Sequence, residues 1–223
     1  MQIRPAAPAD VPDLVRIKSA VWPDQAVNIA QLEAVLQLPE HIVLVASTEG
    51  EALGYLDCFL TTSVDGVRRW EMDEIAVLPA AQGRGIGRRL VANGLQSIYG
   101  GGATYSRALI QVENIPSQRI FAHAGYRIEP ATQMLLVAGP QDVDNTNLPQ
   151  GLHLVPVSTL SYCGAWLEGE VTLAGLEAAR QWINGNDCQL VGVLICSDDQ
   201  SLLSDALLAG YEVVDSYNWW STK

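Results

Sequence analysis

The chain is poor in the residues that bind metals or nucleic acids. Histidine occurs three times, at His41, His123 and His153, and the four cysteines, Cys58, Cys163, Cys188 and Cys196, form no C-x-x-C pair. No zinc-type spacing is present, so no metal site is expected; the thiols read as small apolar side chains in a reducing compartment. Basic residues are also scarce, 13 Lys and Arg against 25 Asp and Glu, for a net charge of −12. A basic face for nucleic acid is thereby disfavoured, while a cationic substrate would be drawn in. No apolar run reaches the roughly 18 residues of a membrane span. Met1-Gln2-Ile3-Arg4-Pro5 lacks the basic-then-apolar order of a secretory signal. The expectation is a cytoplasmic protein with no membrane partner.

What is present is apolar material, 48% of 223 residues, enough for one large domain or two small ones. Periodicity and turn residues predict β-α-α-β-β-β-α-β-α-β-β over residues 1–138. Asn28 is read as the cap of a helix running to Leu38, and Tyr126–Ile128 and Gln133–Ala138 as two separate closing strands. The helix opening near Ile86 is expected to run to Ile98 and to stop at Gly100-Gly101-Gly102. Residues 139–150 hold two Pro, two Asp and two Asn and read as a linker. Residues 151–223 then predict strand, helix, strand, helix, strand. This segment resembles a worn copy of the first. At a constant offset of 85 positions, Ala108-Leu109-Ile110 falls on Val193-Leu194-Ile195, and Ala124-Gly125-Tyr126 on Ala209-Gly210-Tyr211.

The informative stretch runs from Glu71 to Leu90, where a strand passes through Gln82-Gly83-Arg84-Gly85-Ile86-Gly87 into a helix. Small residues let backbone N–H groups approach a phosphate, and the helix adds its unpaired amides and the positive end of its dipole. Arg84, Arg88 and Arg89 make this loop locally basic on an acidic chain. The loop lacks the Gly-Lys-Ser/Thr ending of a Walker motif. Its Gly-x-Gly-x-Gly spacing, far from the N-terminus and after antiparallel strands, does not suit a dinucleotide fingerprint.

The segment Ala76-Val77-Leu78-Pro79 to Gly87 resembles the acyl-CoA loop of the GNAT N-acetyltransferase superfamily, and Asn114-Ile-Pro-Ser-Gln-Arg-Ile-Phe-Ala-His-Ala-Gly-Tyr126 resembles that family's second motif. The resemblance covers about residues 1–138. It implies an α/β (α+β) fold with a mixed sheet, acetyl-CoA as cofactor and an amine-bearing acceptor, possible cation included, in a monomer or homodimer. It further implies that the pantetheine arm pairs with main-chain groups of Ile75, Ala76 and Val77 between two splayed strands. The pyrophosphate would lie on Gln82, Gly83, Arg84, Gly85, Ile86, Gly87 and Arg88, and Asn114, Ser117 and Phe121 would flank the thioester end.

Acetyl transfer needs a base to deprotonate the ammonium. Glu71, Asp73 and Glu74, on the strand beside the cofactor, are the candidates. Many family members carry a Tyr as general acid where this chain has Phe121. The intact acidic strand favours an N-acetyltransferase; Phe121 and the degenerate repeat favour an acyl-CoA-binding module without catalysis. In the copy, the 85-residue offset puts Leu167-Glu168-Gly169-Glu170-Val171-Thr172 on the phosphate loop, so that half is expected to bind no CoA. Tyr217, Trp219 and Trp220 are read as core or interface.

Overall fold

A computed structural model describes residues 1–97, 102–142, 148–186 and 188–222. The N-terminal half contains β1 (Gln2–Pro5), α1 (Val11–Val21), α2 (Ile29–Val35), β2 (His41–Thr48), β3 (Glu51–Thr62), β4 (Arg68–Val77), α3 (Ile86–Gln96), β5 (Tyr105–Gln111), α4 (Ile115–His123) and β6 (Arg127–Ala138). The C-terminal half contains β7 (Leu152–Ser158), β8 (Cys163–Gly169), α5 (Leu173–Asn184), β9 (Leu190–Cys196), α6 (Gln200–Leu208) and β10 (Glu212–Thr222). Among the described residues no helix is long and apolar enough to cross a membrane.

Local chemistry sets these boundaries. β2 and β3 join through Glu49 and Gly50, both at positive φ, the geometry of a tight hairpin turn. Asn114 and Asp199, 85 positions apart, cap α4 and α6 by accepting the N–H of Ser117 at 3.1 Å and of Leu202 at 3.0 Å. Two boundaries differ from the sequence expectation. α2 ends at Val35 rather than Leu38, because Gln37 and Leu38 close three-residue turns onto Ala34 and Val35 ahead of Pro39. β6 is one strand, not two. Pro130 is accommodated where the β6–β10 register shifts between Thr132 and Ile128, a place where no ladder N–H is required of it. The expected end of α3, Ile98 to Gly101, lies outside the described residues.

Among the described residues, the ten strands form one sheet in the order β1-β2-β3-β4-β5-β10-β6-β9-β8-β7. The C-terminal strand β10 lies between β5 and β6 of the N-terminal half, antiparallel to both. In turn β6 pairs with β9 of the C-terminal half. Each half therefore completes its sheet with a strand of the other. The repeat is real in the elements: β5 and β9, α4 and α6, and the starts of β6 and β10 all stand 85 positions apart. β4 and β8 do not keep that offset. Arg69 pairs with Tyr105, and Gly164 pairs with Leu190, so β8 is 95 positions from β4. Arg69 to Tyr105 spans 36 positions and Gly164 to Leu190 spans 26, so the C-terminal copy has ten residues fewer between β8 and β9 than the first half has between β4 and β5.

That difference corrects the expectation for the copy's phosphate loop. Leu167, Glu168 and Gly169 belong to β8, and only Glu170, Val171 and Thr172 separate it from α5. There is no room for a loop like Leu78–Gly85.

The core is divided by the sheet. One face of the N-terminal half packs Leu56, Met72, Ala108, Ile110 and Trp220 against α3 and α4. The other packs Val43, Val45, Tyr55 and Ala76 against α1 and α2. A separate cluster covers β6 and β9 with α5 and α6. Phe59 of β3 packs against Val155 and Val157 of β7, near opposite ends of the strand order. The sheet is thus curled, and its concave face is a cleft.

Candidate active site

β4 and β5 are parallel and pair only over Arg69–Glu71 and Tyr105–Arg107. Beyond that point the strands part. β4 keeps its ladder with β3, broken by a bulge that sets both Asp73 and Glu74 opposite Asp57. A cleft of about 620 Å³ opens in the split, lined by β4 from Glu71 to Ile75, by β5 from Ala108 to Gln111, and by Asn114, Ser117 and Phe121.

The loop closing the split has the form the sequence predicts. Gly83 and Gly85 have φ of 75° and 76°, a region that L side chains avoid, and a Cβ on either would meet nothing within 4 Å. Ile86, Gly87 and Arg88 open α3, so their amides have no helical acceptor. Among the described residues, no backbone acceptor meets the N–H groups of Gly83, Arg84 or Gly85. Gln82 serves the loop itself, donating its side-chain amide to the Val77 carbonyl at 3.1 Å. Arg84 donates to the Ala80 carbonyl at 2.9 Å. Arg88 meets His123 of α4, and with Arg84, Arg89 and Gly85 they line a basic hollow. Open space, free amides and cationic rims together suit a diphosphate. Gly87 is buried for a different reason: a Cβ there would stand 2.9 Å from Ile120 Cδ1, so it lets α3 approach α4.

The three candidate carboxylates meet three environments. Glu71 is buried, takes the hydroxyl of Thr61, and accepts Arg107 Nε at 3.0 and 2.9 Å. Glu74 is held by Lys18, Ser161 and Tyr55, all donating to it. Asp73 has no hydrogen bond or ion pair among the described residues and opens into the cleft. Its carboxyl is pushed well above the usual range, first by the protein crowding the cleft floor, then by Asp57 and Glu74, with Lys18 opposing. The side chain itself reaches solvent, so water tempers that crowding and screens the neighbouring charges alike. Asp57 beneath it is buried beside His41, whose Nδ1 stands 3.3 Å away.

At the acid position, Phe121 is buried and packs edge-on against Tyr126, centroids 4.9 Å apart. Tyr126 cannot take over. Its hydroxyl is buried behind Phe121, 2.6 Å from Ser106 Oγ. Its pKa is raised, chiefly by burial.

Sequence reasoning missed the C-terminal half's share of the cleft. Ser161, Tyr162, Trp166 and Glu168 come from β8 and the turn before it, Tyr217 and Trp219 from β10. Glu168 accepts Arg69 Nη1 at 2.9 Å on both oxygens and Arg107 Nη2 at 3.2 Å. Arg107 also lies 3.9 Å from the Trp219 ring. Strand alternation splits the C-terminal aromatic cluster: Tyr217 and Trp219 face the cleft, and Trp220 faces the core. Only this alternation could have signalled it, and it has no meaning until the neighbouring strands are known. The Tyr217 hydroxyl has no hydrogen-bond partner among the described residues, and its pKa is raised by burial and by Asp215.

The family model described as acetyltransferase (GNAT) family matches residues 11–126. An L-methionine sulfoximine/L-methionine sulfone acetyltransferase of Salmonella typhimurium is 31% identical over 114 residues, 49% of this chain and 66% of that protein, so slightly less than two thirds of that relative's length is spanned. A Salmonella typhimurium protein solved with its cofactor acetyl-CoA superposes with a TM-score of 0.50 at 29% identity, over 60% of this chain and 82% of that one. A tandem GNAT protein from the clavulanic acid biosynthesis pathway superposes with a TM-score of 0.63 at 12% identity, over 99% of this chain and 98% of that one, which bears on the fold alone.

Proposed function

The chain belongs to the acetyltransferase (GNAT) family, and from that premise we propose that it is an N-acetyltransferase binding acetyl-CoA between β4 and β5 and moving the acetyl group directly to an amine. The observation that carries this reading is the split itself, which ends on a glycine loop with free amides and three arginines. When bound, acetyl-CoA supplies an activated thioester. The chain's own residues do the rest. Free amides from Gly83 to Arg88 hold the pyrophosphate, and the unpaired edge of β4 at Ile75–Val77 takes the pantetheine arm. Asn114 and Ser117, at the start of α4, flank the cleft end of that arm.

Asp73 is the base we favour among the three carboxylates. It is unpaired, open to the cleft and more basic than an ordinary carboxylate, and a raised pKa suits proton abstraction near neutral pH. Glu71 neutralises Arg107, and Glu74 anchors α1 through Lys18. Tyr217 is the proton donor the cleft offers in place of Phe121: its hydroxyl is unpartnered and stays protonated.

Phe121 supports a second reading, an acyl-CoA-binding module without turnover. Thermal denaturation with increasing acetyl-CoA, with ATP and NAD as controls, tests the shared premise, since a ligand of the folded state raises the midpoint. Thiol release with a panel of amines then separates the two readings. A shift without turnover of any amine favours the module; no shift at millimolar acetyl-CoA removes both.

A further inference from the structure

The cleft does not end at the split between β4 and β5. It continues past β10 to a second split, where β8 and β9 pair only over Gly164–Leu167 and Leu190–Val193. This is the copy's counterpart of the cofactor split, without a phosphate loop. Its walls are Leu135 of β6, Leu194 of β9, Val214 of β10 and Trp166 of β8. Leu135 and Leu194 are cross-strand partners. Gly192 leaves the floor open: a Cβ there would stand 3.8 Å from both Leu135 Cδ1 and Trp166 Cδ1, an ordinary contact. The side chains of these walls offer no hydrogen bond to a ligand. The Trp166 Nε1 is already donated to the Tyr162 hydroxyl at 2.9 Å, and the neighbouring Glu168 is held by Arg69 and Arg107. A polar group would lose its water there without compensation.

The two ends of the cleft thus have opposite chemistry: an unpaired carboxylate, Asp73, at the cofactor split, and an apolar trough at the other. We infer that the acceptor is an amine carried on an apolar body, its ammonium at Asp73 and its body in the trough between Leu135, Leu194 and Trp166. This rests on the transferase reading above. The extended tail of a long-chain acyl donor would also match the trough, but it offers no cation to the acidic end; charge complementarity selects the acceptor.

The experiment is thiol release from acetyl-CoA with linear primary alkylamines of increasing length, set against diamines and amino alcohols of equal length. Gly192→Val, which fills the trough floor, and Val214→Asn, at an exposed rim position, serve as independent variants. The expected result is a kcat/KM that rises about threefold to fourfold per methylene until the trough is full, with a polar terminus abolishing the rise. Either variant flattens the rise, while acetyl-CoA still raises the melting temperature. A flat profile, or a preference for diamines, overturns the trough as the acceptor's site and leaves the transferase reading standing. A rise with acyl-CoA chain length that Gly192→Val removes also overturns it, giving the trough to the donor. Absence of both turnover and an acetyl-CoA shift overturns the transferase reading and the trough with it.

Discussion

Arg107 on β5 donates from Nη2 to Glu168 on β8 at 3.2 Å, joining the two halves of the chain across the cleft. The bond belongs to a cluster of two arginines and two glutamates, Arg69, Glu71, Arg107 and Glu168, with no net charge. Arg69, Glu71 and Arg107 are each buried. Removing one carboxylate leaves a buried positive charge uncompensated, which costs more than the pair contributes when whole. Glu168→Ala is expected to lower stability by about 3 kcal/mol in urea unfolding. Glu168→Gln keeps the shape but not the charge and should fall between.

Gly85 enters α3 at a φ of 76° with open space before it. Alanine there costs about 1 kcal/mol from the left-handed backbone alone. If the loop amides hold the pyrophosphate as proposed, the alanine methyl group would also occupy the open space before them. The Kd for acetyl-CoA is therefore expected to rise about tenfold in calorimetric titration at a temperature where the variant is fully folded. A loss of stability with unchanged affinity would separate the loop from the pyrophosphate.

Asp73 makes opposite predictions for activity and stability. Its folded-state pKa lies above that of an unfolded aspartate. Its ionised form is therefore disfavoured by folding, and the stability it contributes below the ordinary carboxylate range is lost as pH rises through the raised value. Asp73→Asn is expected to leave the melting temperature unchanged at acidic pH and to raise it at pH 7. The same substitution should lower kcat by about 100-fold or more and remove the acidic limb of the pH–rate profile, without weakening acetyl-CoA binding.

These residues differ in how far the sequence discloses them. The form of the glycine loop is legible because its signal is local: glycine spacing, a strand before and a helix after. The carboxylates are legible as a group but not in rank, since ranking them depends on Arg107, Lys18 and Tyr55, which come from three other elements. Glu168 is misread altogether. A constant offset of 85 lays it on a loop, whereas ten residues missing from the copy put it in β8. The exchange of β6 and β10 leaves no local trace, because strand pairing across more than a hundred residues follows from the completed sheet.

Tyr217 tests whether the C-terminal half shares in the chemistry. If its hydroxyl supplies the proton that Phe121 cannot, Tyr217→Phe should reduce kcat on the order of 100-fold with acetyl-CoA affinity intact. The ring remains, so packing beside Gln111 and Gln133 in the ladder is preserved. A tyrosine at 121 offers rescue. The double variant Tyr217→Phe with Phe121→Tyr should regain part of the lost rate, because position 121 lines the same cleft.

The strand exchange bears on whether either half stands alone. A fragment ending at residue 142 would keep the phosphate loop, Asp73 and α1–α4, but would lose β10 from between β5 and β6. Two facing strand edges, each several residues long, would then have unpaired amides and carbonyls. The fragment 151–223 would lack β6, the partner of both β9 and β10. Each fragment is expected to be insoluble or unfolded by itself, by circular dichroism and sedimentation. Mixed during refolding, the two should restore the acetyl-CoA-dependent rise in melting temperature. A fragment 1–142 that folds and binds acetyl-CoA alone would mean that β5 and β6 can close on each other, and that the second half serves only the acceptor.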